Sequence, residues 1–219
     1  LNGFSMFTKV ISCPSWIDIK ENYPKPMQDG IEALIDTRAD ISKGKIIFWH
    51  GVPGTGKTYA IRALSREWVN EMDMNIEFIY VTDPEVLFSE PSYLVSILRK
   101  AGNCKLVLVM EDSLNFIAQE NRKEFGNTMS RILNTAEGIL GQGSELLMLM
   151  TTNEEERKVD PAFLRPGRCM QSMMFQPFSE EEADQWLKNH GCIGEEQQSK
   201  SVLAELYGKL AGTPSTLER

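Results

Sequence analysis

At 219 residues, 42% hydrophobic and 25% charged, the chain has the balance of an ordinary globular domain with enough apolar side chains to build a full core. The net charge of −8 argues against a general nucleic-acid-binding surface, and no apolar run approaches the roughly 20 residues of a membrane span. Four scattered cysteines with no C-x-x-C, and two isolated histidines, form neither a zinc pattern nor a disulfide framework, so reduced thiols in the cytoplasm are expected.

The sequence opens at Leu1 with neither an initiator Met nor a basic stretch leading into an apolar one. It therefore reads as a segment of a longer protein with no visible signal peptide. Residues 1–40 form the first unit, an arm and helix packed on the core. Phe4, Phe7, Trp16 and Ile19 stand among polar residues and Pro14, which predicts an irregular arm. Pro24 and Pro26 then open a helix with Ile31, Leu34 and Ile35 on one face, although Gly30 weakens its first half.

Residues 41–178 read as an α/β nucleotide-binding unit. Lys45 to His50 is a short β-branched and aromatic run, predicted as a buried strand. GVPGTGKT, Gly51 to Thr58, follows it, and Ile61, Leu64, Trp68 and Met72 then recur at helical spacing. A second strand is predicted over 75–82, then a Pro-containing loop, then a helix from Pro91 with Tyr93, Leu94, Ile97, Leu98 and Ala101 inward. A third strand, 105–110, is apolar throughout, as befits a strand covered on both faces. A helix carrying Phe125, Met129, Ile132, Leu133 and Ala136, a loop with Gly138, Gly141 and Gly143, a fourth strand over 145–152 and a fifth over 168–175 complete the unit. Strands alternating with helices imply right-handed crossovers and a doubly wound parallel sheet of five strands, whose ligands bind at the C-terminal strand ends. Residues 179–219 begin a small helical lid: Ser179 and Glu182 form a capping box, Ala183, Trp186 and Leu187 face inward, and a second helix carries Val202, Leu203, Leu206, Tyr207 and Leu210.

The chemistry lies where strand, Gly-rich loop and helix meet. Gly51, Gly54 and Gly56 let the backbone turn and aim successive N–H groups at a phosphate, with the positive end of the helix behind them. The expected nucleotide-binding set is Gly51, Val52, Pro53, Gly54, Thr55, Gly56, Lys57 and Thr58, with Tyr59 just beyond. Lys57 would reach the β- and γ-phosphates, and the Thr58 hydroxyl would ligate Mg²⁺. Phosphoryl transfer also needs a group that positions and deprotonates water. At the end of the third strand, Glu111 is expected to hold Mg²⁺ and Asp112 to act as general base. Asn153, at the tip of the fourth strand, can reach both the γ-phosphate and the attacking water. Arg165 and Arg168 bracket Pro166 and Gly167, so they project from a stiff loop and can serve as arginine fingers on the γ-phosphate of a neighbouring subunit.

GVPGTGKT, LVLVMED, TTN and DPAFLRPGR, in this order, resemble the Walker A, Walker B, sensor 1 and arginine-finger segments of an AAA+ ATPase of the AAA clade, over roughly residues 40–178. RILNTAEGI and the Glu-Asp order resemble most the branch that includes the mitochondrial Rieske-protein translocase. The resemblance implies the P-loop NTPase fold, ATP and Mg²⁺ as cofactors, and a ring, usually a hexamer, that remodels or translocates a protein partner. Most relatives carry Asp-Glu where this chain carries Glu111 and Asp112; the shorter base implies slow turnover. The stretch Glu85 to Glu90 lacks the Gly of unfoldase pore loops, and Phe88 reads as a core residue before it reads as a gripping one. The adenine-facing residues are expected around Trp16 to Ile19. Two further functions follow from the same residues: a nucleotide-gated scaffold with slow or no hydrolysis, and a DNA motor, which the acidic charge disfavours.

Overall fold

The computed structural model describes residues 10–37, 40, 42, 44–70, 76–101, 104–112, 145–153, 164–192 and 199–212. The helix expected around 125–136, the glycine loop behind it, Phe4, Phe7, residues 159–163 and the side chain of Phe88 lie outside the described residues.

Five strands form one sheet: β1 (Ile46–His50), β2 (Ile76–Tyr80), β3 (Lys105–Met110), β4 (Leu146–Thr152) and β5 (Cys169–Met174), in the order β2-β3-β4-β1-β5. Every neighbouring pair is parallel. The register explains why β1, β3 and β4 are apolar at nearly every position. Leu108, Met148 and Ile46 stand side by side across three strands, and so, one residue on, do Val109, Leu149 and Ile47. Successive side chains point to opposite faces, so the first row enters one core and the second row the other.

The first face is covered by α4 (Pro84–Ser89) and α5 (Pro91–Ala101), through Leu87, Leu94, Ile97 and Leu98. The second is covered by α1 (Trp16–Ile19), α2 (Lys25–Thr37) and α3 (Lys57–Asn70), which bring Trp16, Ile31, Leu34, Ile61, Leu64 and Trp68 onto Ile47, Trp49, Val107 and Val109. The buried indoles keep their N–H groups satisfied: Trp49 donates to Gln171 Oε1 at 3.1 Å and Trp68 to the Leu34 carbonyl at 3.2 Å. This is the doubly wound α/β architecture of P-loop NTPases, with helices on both faces of a parallel sheet. No helix among the described residues is long and apolar enough to cross a membrane.

Two expectations are corrected. The stretch after β2 is the helix α4, not a loop: Pro84 occupies its first turn, where a missing N–H costs nothing, and the Asp83 carboxylate caps it by accepting from Val86 N at 3.1 Å. The arm is ordered from Trp16 onward, as α1 followed by a 3₁₀ turn, Lys20–Asn22. Gly30 sits inside α2 without breaking it. A Cβ there would stand 2.5 Å from Met173 Sδ, so a larger residue would require the Met173 side chain to move.

A third, smaller core joins Phe178 to α6 (Glu180–Asn189) and α7 (Leu203–Leu210) through Ala183, Trp186, Leu187, Leu203 and Leu206. Ser179 and Glu182 form the expected capping box, each taking the other's backbone N–H.

Candidate nucleotide site

β1 delivers the chain to the loop at the C-terminal edge of the sheet. At Gly51 the backbone turns with φ +136°, and a Cβ there would stand 2.1 Å from the Phe175 carbonyl oxygen, so β1 and the segment after β5 meet only through a glycine. Lys57 begins α3, and its ammonium folds back over the loop, donating to the carbonyls of Gly51 at 2.7 Å and Val52 at 3.0 Å. The buried Thr55 hydroxyl donates to the Val52 carbonyl at 2.9 Å. Burial pulls the Lys57 pKa below its ordinary value, while Asp112 and Glu111 pull it back up. A charged lysine, backbone N–H groups and a helix start thus share one anion-attracting spot.

β3 and β4 bring the remaining groups to the same edge. The Thr58 hydroxyl donates to the Glu111 carboxylate. Asp112 follows at φ +51°, a left-handed conformation that an aspartate tolerates better than most residues. Its backbone N–H donates to Thr151 Oγ1 at 3.3 Å, and its carboxylate accepts from Asn153 Nδ2 at 2.7 Å. Of the expected set, Pro53, Gly54, Gly56, Lys57, Thr58, Tyr59, Glu111, Asp112 and Asn153 line one cavity of about 630 Å³. Gly51, Val52 and Thr55 do not line it.

The opposite wall comes from elements far away in sequence. Leu203, Ala204 and Tyr207 of α7 line the cavity together with Asn22. The Ala204 N–H donates to the Gly54 carbonyl at 3.0 Å, and the Tyr23 hydroxyl donates to the Gly56 carbonyl at 3.1 Å. Burial raises the Tyr23 pKa, so its phenol stays a donor. Trp16 and Ile19 are buried in the core and do not line the cavity; Asn22, a few residues on, does so in their place. Sequence reasoning also passed over Arg62 and Thr151, both in the cavity wall. Their signal was position alone: Arg62 stands one helical turn beyond Thr58, and Thr151 two residues before Asn153.

Arg165 and Arg168 stand elsewhere. Both are exposed, and the Arg168 carbonyl accepts from Lys45 N at 2.8 Å and Ile46 N at 3.0 Å, at the entry end of β1. Roughly 16 Å of strand separates that turn from the phosphate loop. The chain therefore brings the loop, the acids and Asn153 together but leaves both arginines outside.

Among the described residues no three His, Cys, Asp or Glu side chains gather into a metal-holding group. Mg²⁺ does not require one, since it keeps several waters and takes one or two protein oxygens plus phosphate oxygens. The Thr58 hydroxyl and the Glu111 carboxylate, already in contact beside the loop, are hard oxygen donors that fit this requirement.

The chain has recognisable relatives among known proteins. Residues 47–177 match the model of the ATPase family associated with various cellular activities (AAA). The chain is similar to Protein SAV of Sulfolobus acidocaldarius, 29% identical over 64% of this chain and 18% of that protein. It is similar to the 26S proteasome regulatory subunit 4 homolog of Saccharomyces cerevisiae, 28% identical over 61% of this chain and 31% of that protein. It also resembles the probable mitochondrial chaperone bcs1 of Schizosaccharomyces pombe, 29% identical over 70% of this chain and 34% of that protein. In each case the match spans about a third or less of the relative's length. With the family model covering more than half of its residues, the chain belongs to the AAA family of ATPases.

Proposed function

We propose that this chain is a Mg²⁺-dependent ATPase subunit that works in a ring, a hexamer by family precedent, and uses hydrolysis to remodel or translocate a protein partner. One observation carries the reading: a loop, an acid pair and an asparagine converge on one cavity while the two exposed arginines stand at the far end of β1. A second copy of the chain could supply those arginines to this cavity.

In this reading Lys57 and the loop N–H groups hold the phosphates, and Thr58 and Glu111 hold Mg²⁺. The ion, when bound, offsets negative charge on the β- and γ-phosphates. Asp112 takes a proton from water, and Asn153, already hydrogen-bonded to Asp112, keeps the carboxylate aimed and offers its amide to the γ-phosphate side. Arg165 and Arg168 stabilise transition-state charge from the neighbouring subunit. Arg165→Ala is expected to lose turnover, and mixing it with Lys57→Ala subunits should restore part of it, because each mutant supplies what the other lacks. No restoration in mixed rings shown to have formed would refute action across subunits.

A second reading, a nucleotide-gated scaffold with slow or no hydrolysis, draws support from Asp112, which is one methylene shorter than Glu and has its carboxylate tied to Asn153. Steady-state phosphate release with and without a stimulating partner separates the two, since robust turnover removes the scaffold.

A further inference from the structure

Both lid helices are tied to the segment before β1 by one side chain. Asn22, the last residue of the 3₁₀ turn after α1, is buried, and its Oδ1 accepts from the indole Nε1 of Trp186 on α6 at 3.0 Å and from the Tyr207 hydroxyl on α7 at 3.3 Å. The two bonds are not equal. Trp186 is 3% exposed and its N–H can only donate, so without the Asn22 oxygen it becomes a buried donor with no acceptor. Tyr207 is 45% exposed, and its hydroxyl can turn to water instead. The grip therefore lies mainly on Trp186. On the domain side the tie is firmly rooted: Tyr23, the next residue, is fully buried, its ring stands 5.4 Å from that of Trp16 and 6.1 Å from that of Phe175, and its hydroxyl donates to the Gly56 carbonyl. On the lid side it ends in Trp186, a member of the small core that α6 and α7 share with Phe178.

We infer that Asn22 is a latch: its oxygen holds the lid closed and so limits how fast a nucleotide leaves the cavity. Leu203, Ala204 and Tyr207 wall the cavity from the lid side, so a lid that swings away uncovers it. That movement breaks both bonds to Asn22 together with the Ala204 to Gly54 backbone bond. Elements held to a domain by few contacts open locally, well before the whole domain unfolds. Removing a buried acceptor shifts such an opening by about tenfold. The gating of release rests on the nucleotide-binding reading above, whereas the latch itself does not.

The test has two arms on the full chain. In the first, without nucleotide, amide hydrogen exchange is followed in the parental protein, Asn22→Ala and Asn22→Asp. Asn22→Ala should exchange about tenfold faster in α6 and α7 with β3 unchanged, and Asn22→Asp, which keeps an oxygen for Trp186, should stay near the parental rates. Unchanged lid exchange in Asn22→Ala, equal acceleration in β3, or an Asn22→Asp as fast as Asn22→Ala overturns the latch. In the second, release of a fluorescent ribose-labelled ADP is timed by stopped flow after mixing with excess unlabelled ADP. Asn22→Ala and Trp186→Phe, which remove the two ends of one bond, should each release it about tenfold faster, and the double variant should be no faster than either alone. Parental release in both single variants, or effects that multiply in the double variant, overturns the gating and leaves nucleotide binding intact. A parental chain that binds no labelled ADP or ATP overturns the nucleotide reading and the gating with it, while the exchange arm still decides the latch.

Discussion

One wall of the cavity stands on β1, β3 and β4, whose side chains are buried at nearly every position and locked into two cores by register. The other stands on α6 and α7, which have a small core of their own, closed by the Phe178–Ser201 bridge, and meet the rest of the domain through the Ala204 to Gly54 backbone bond and the Asn22 carboxamide, which accepts from Trp186 and Tyr207. The loop, the acids and Asn153 sit on the first wall, where displacement would cost core packing. Leu203, Ala204 and Tyr207 line the cavity from the second, which a few hydrogen bonds hold to the rest of the domain. Rigid placement of reacting groups and adjustable coverage of the ligand are thus divided between two structures with different stabilities.

That contrast can be attacked at four points. Asp112→Asn should lower turnover by roughly 10²–10⁴-fold while nucleotide affinity holds, measured by steady-state phosphate release beside calorimetric binding. Parental turnover in this variant would remove Asp112 as the base. Gly51→Ala adds a Cβ to a left-handed turn pressed against the Phe175 carbonyl and should destabilise the fold by on the order of 3 kcal/mol in denaturant unfolding. A silent substitution there would mean the first wall is softer than its packing implies. Lys57→Ala removes a charged donor from the loop and should weaken ATP binding about a hundredfold in calorimetry. Ser179→Ala removes only the α6 cap. It should cost about 1 kcal/mol, confined to the lid and visible as faster amide exchange in α6 with β3 unchanged. Equal loss of protection in both would show that lid and sheet unfold as one unit.

Much of the first wall was legible because it depends on local rules. The apolar run of β3 predicts its limits to the residue, the strand–loop–helix order locates Lys57 and Thr58, and the capping box marks the start of α6. What escaped depends on distant partners. Proline punctuation suggested a loop at Pro84, but the same residue is compatible with a first helical turn once Asp83 caps it. Gly30 reads as a helix weakener until Met173, over a hundred residues away, is found packed against it. Trp16 looks free to face a base, yet its backbone N–H is held by Glu67 at 2.6 Å and its ring packs 5.4 Å from that of Tyr23. Asn22 carries no motif at all, since its two lid partners lie 164 and 185 residues further along.

β1 also behaves as a ruler. The Arg168 carbonyl grips its first residue and the phosphate loop begins immediately after its last, so five residues fix the distance between the turn that bears the arginines and the loop. Inserting a single residue would do more than lengthen it. Every position beyond the insertion would change sides, exchanging Phe48 and Trp49 between cores that each accept only one of them. The spacing is thus protected by parity: evolution can alter the chemistry at either end of this strand far more easily than its length.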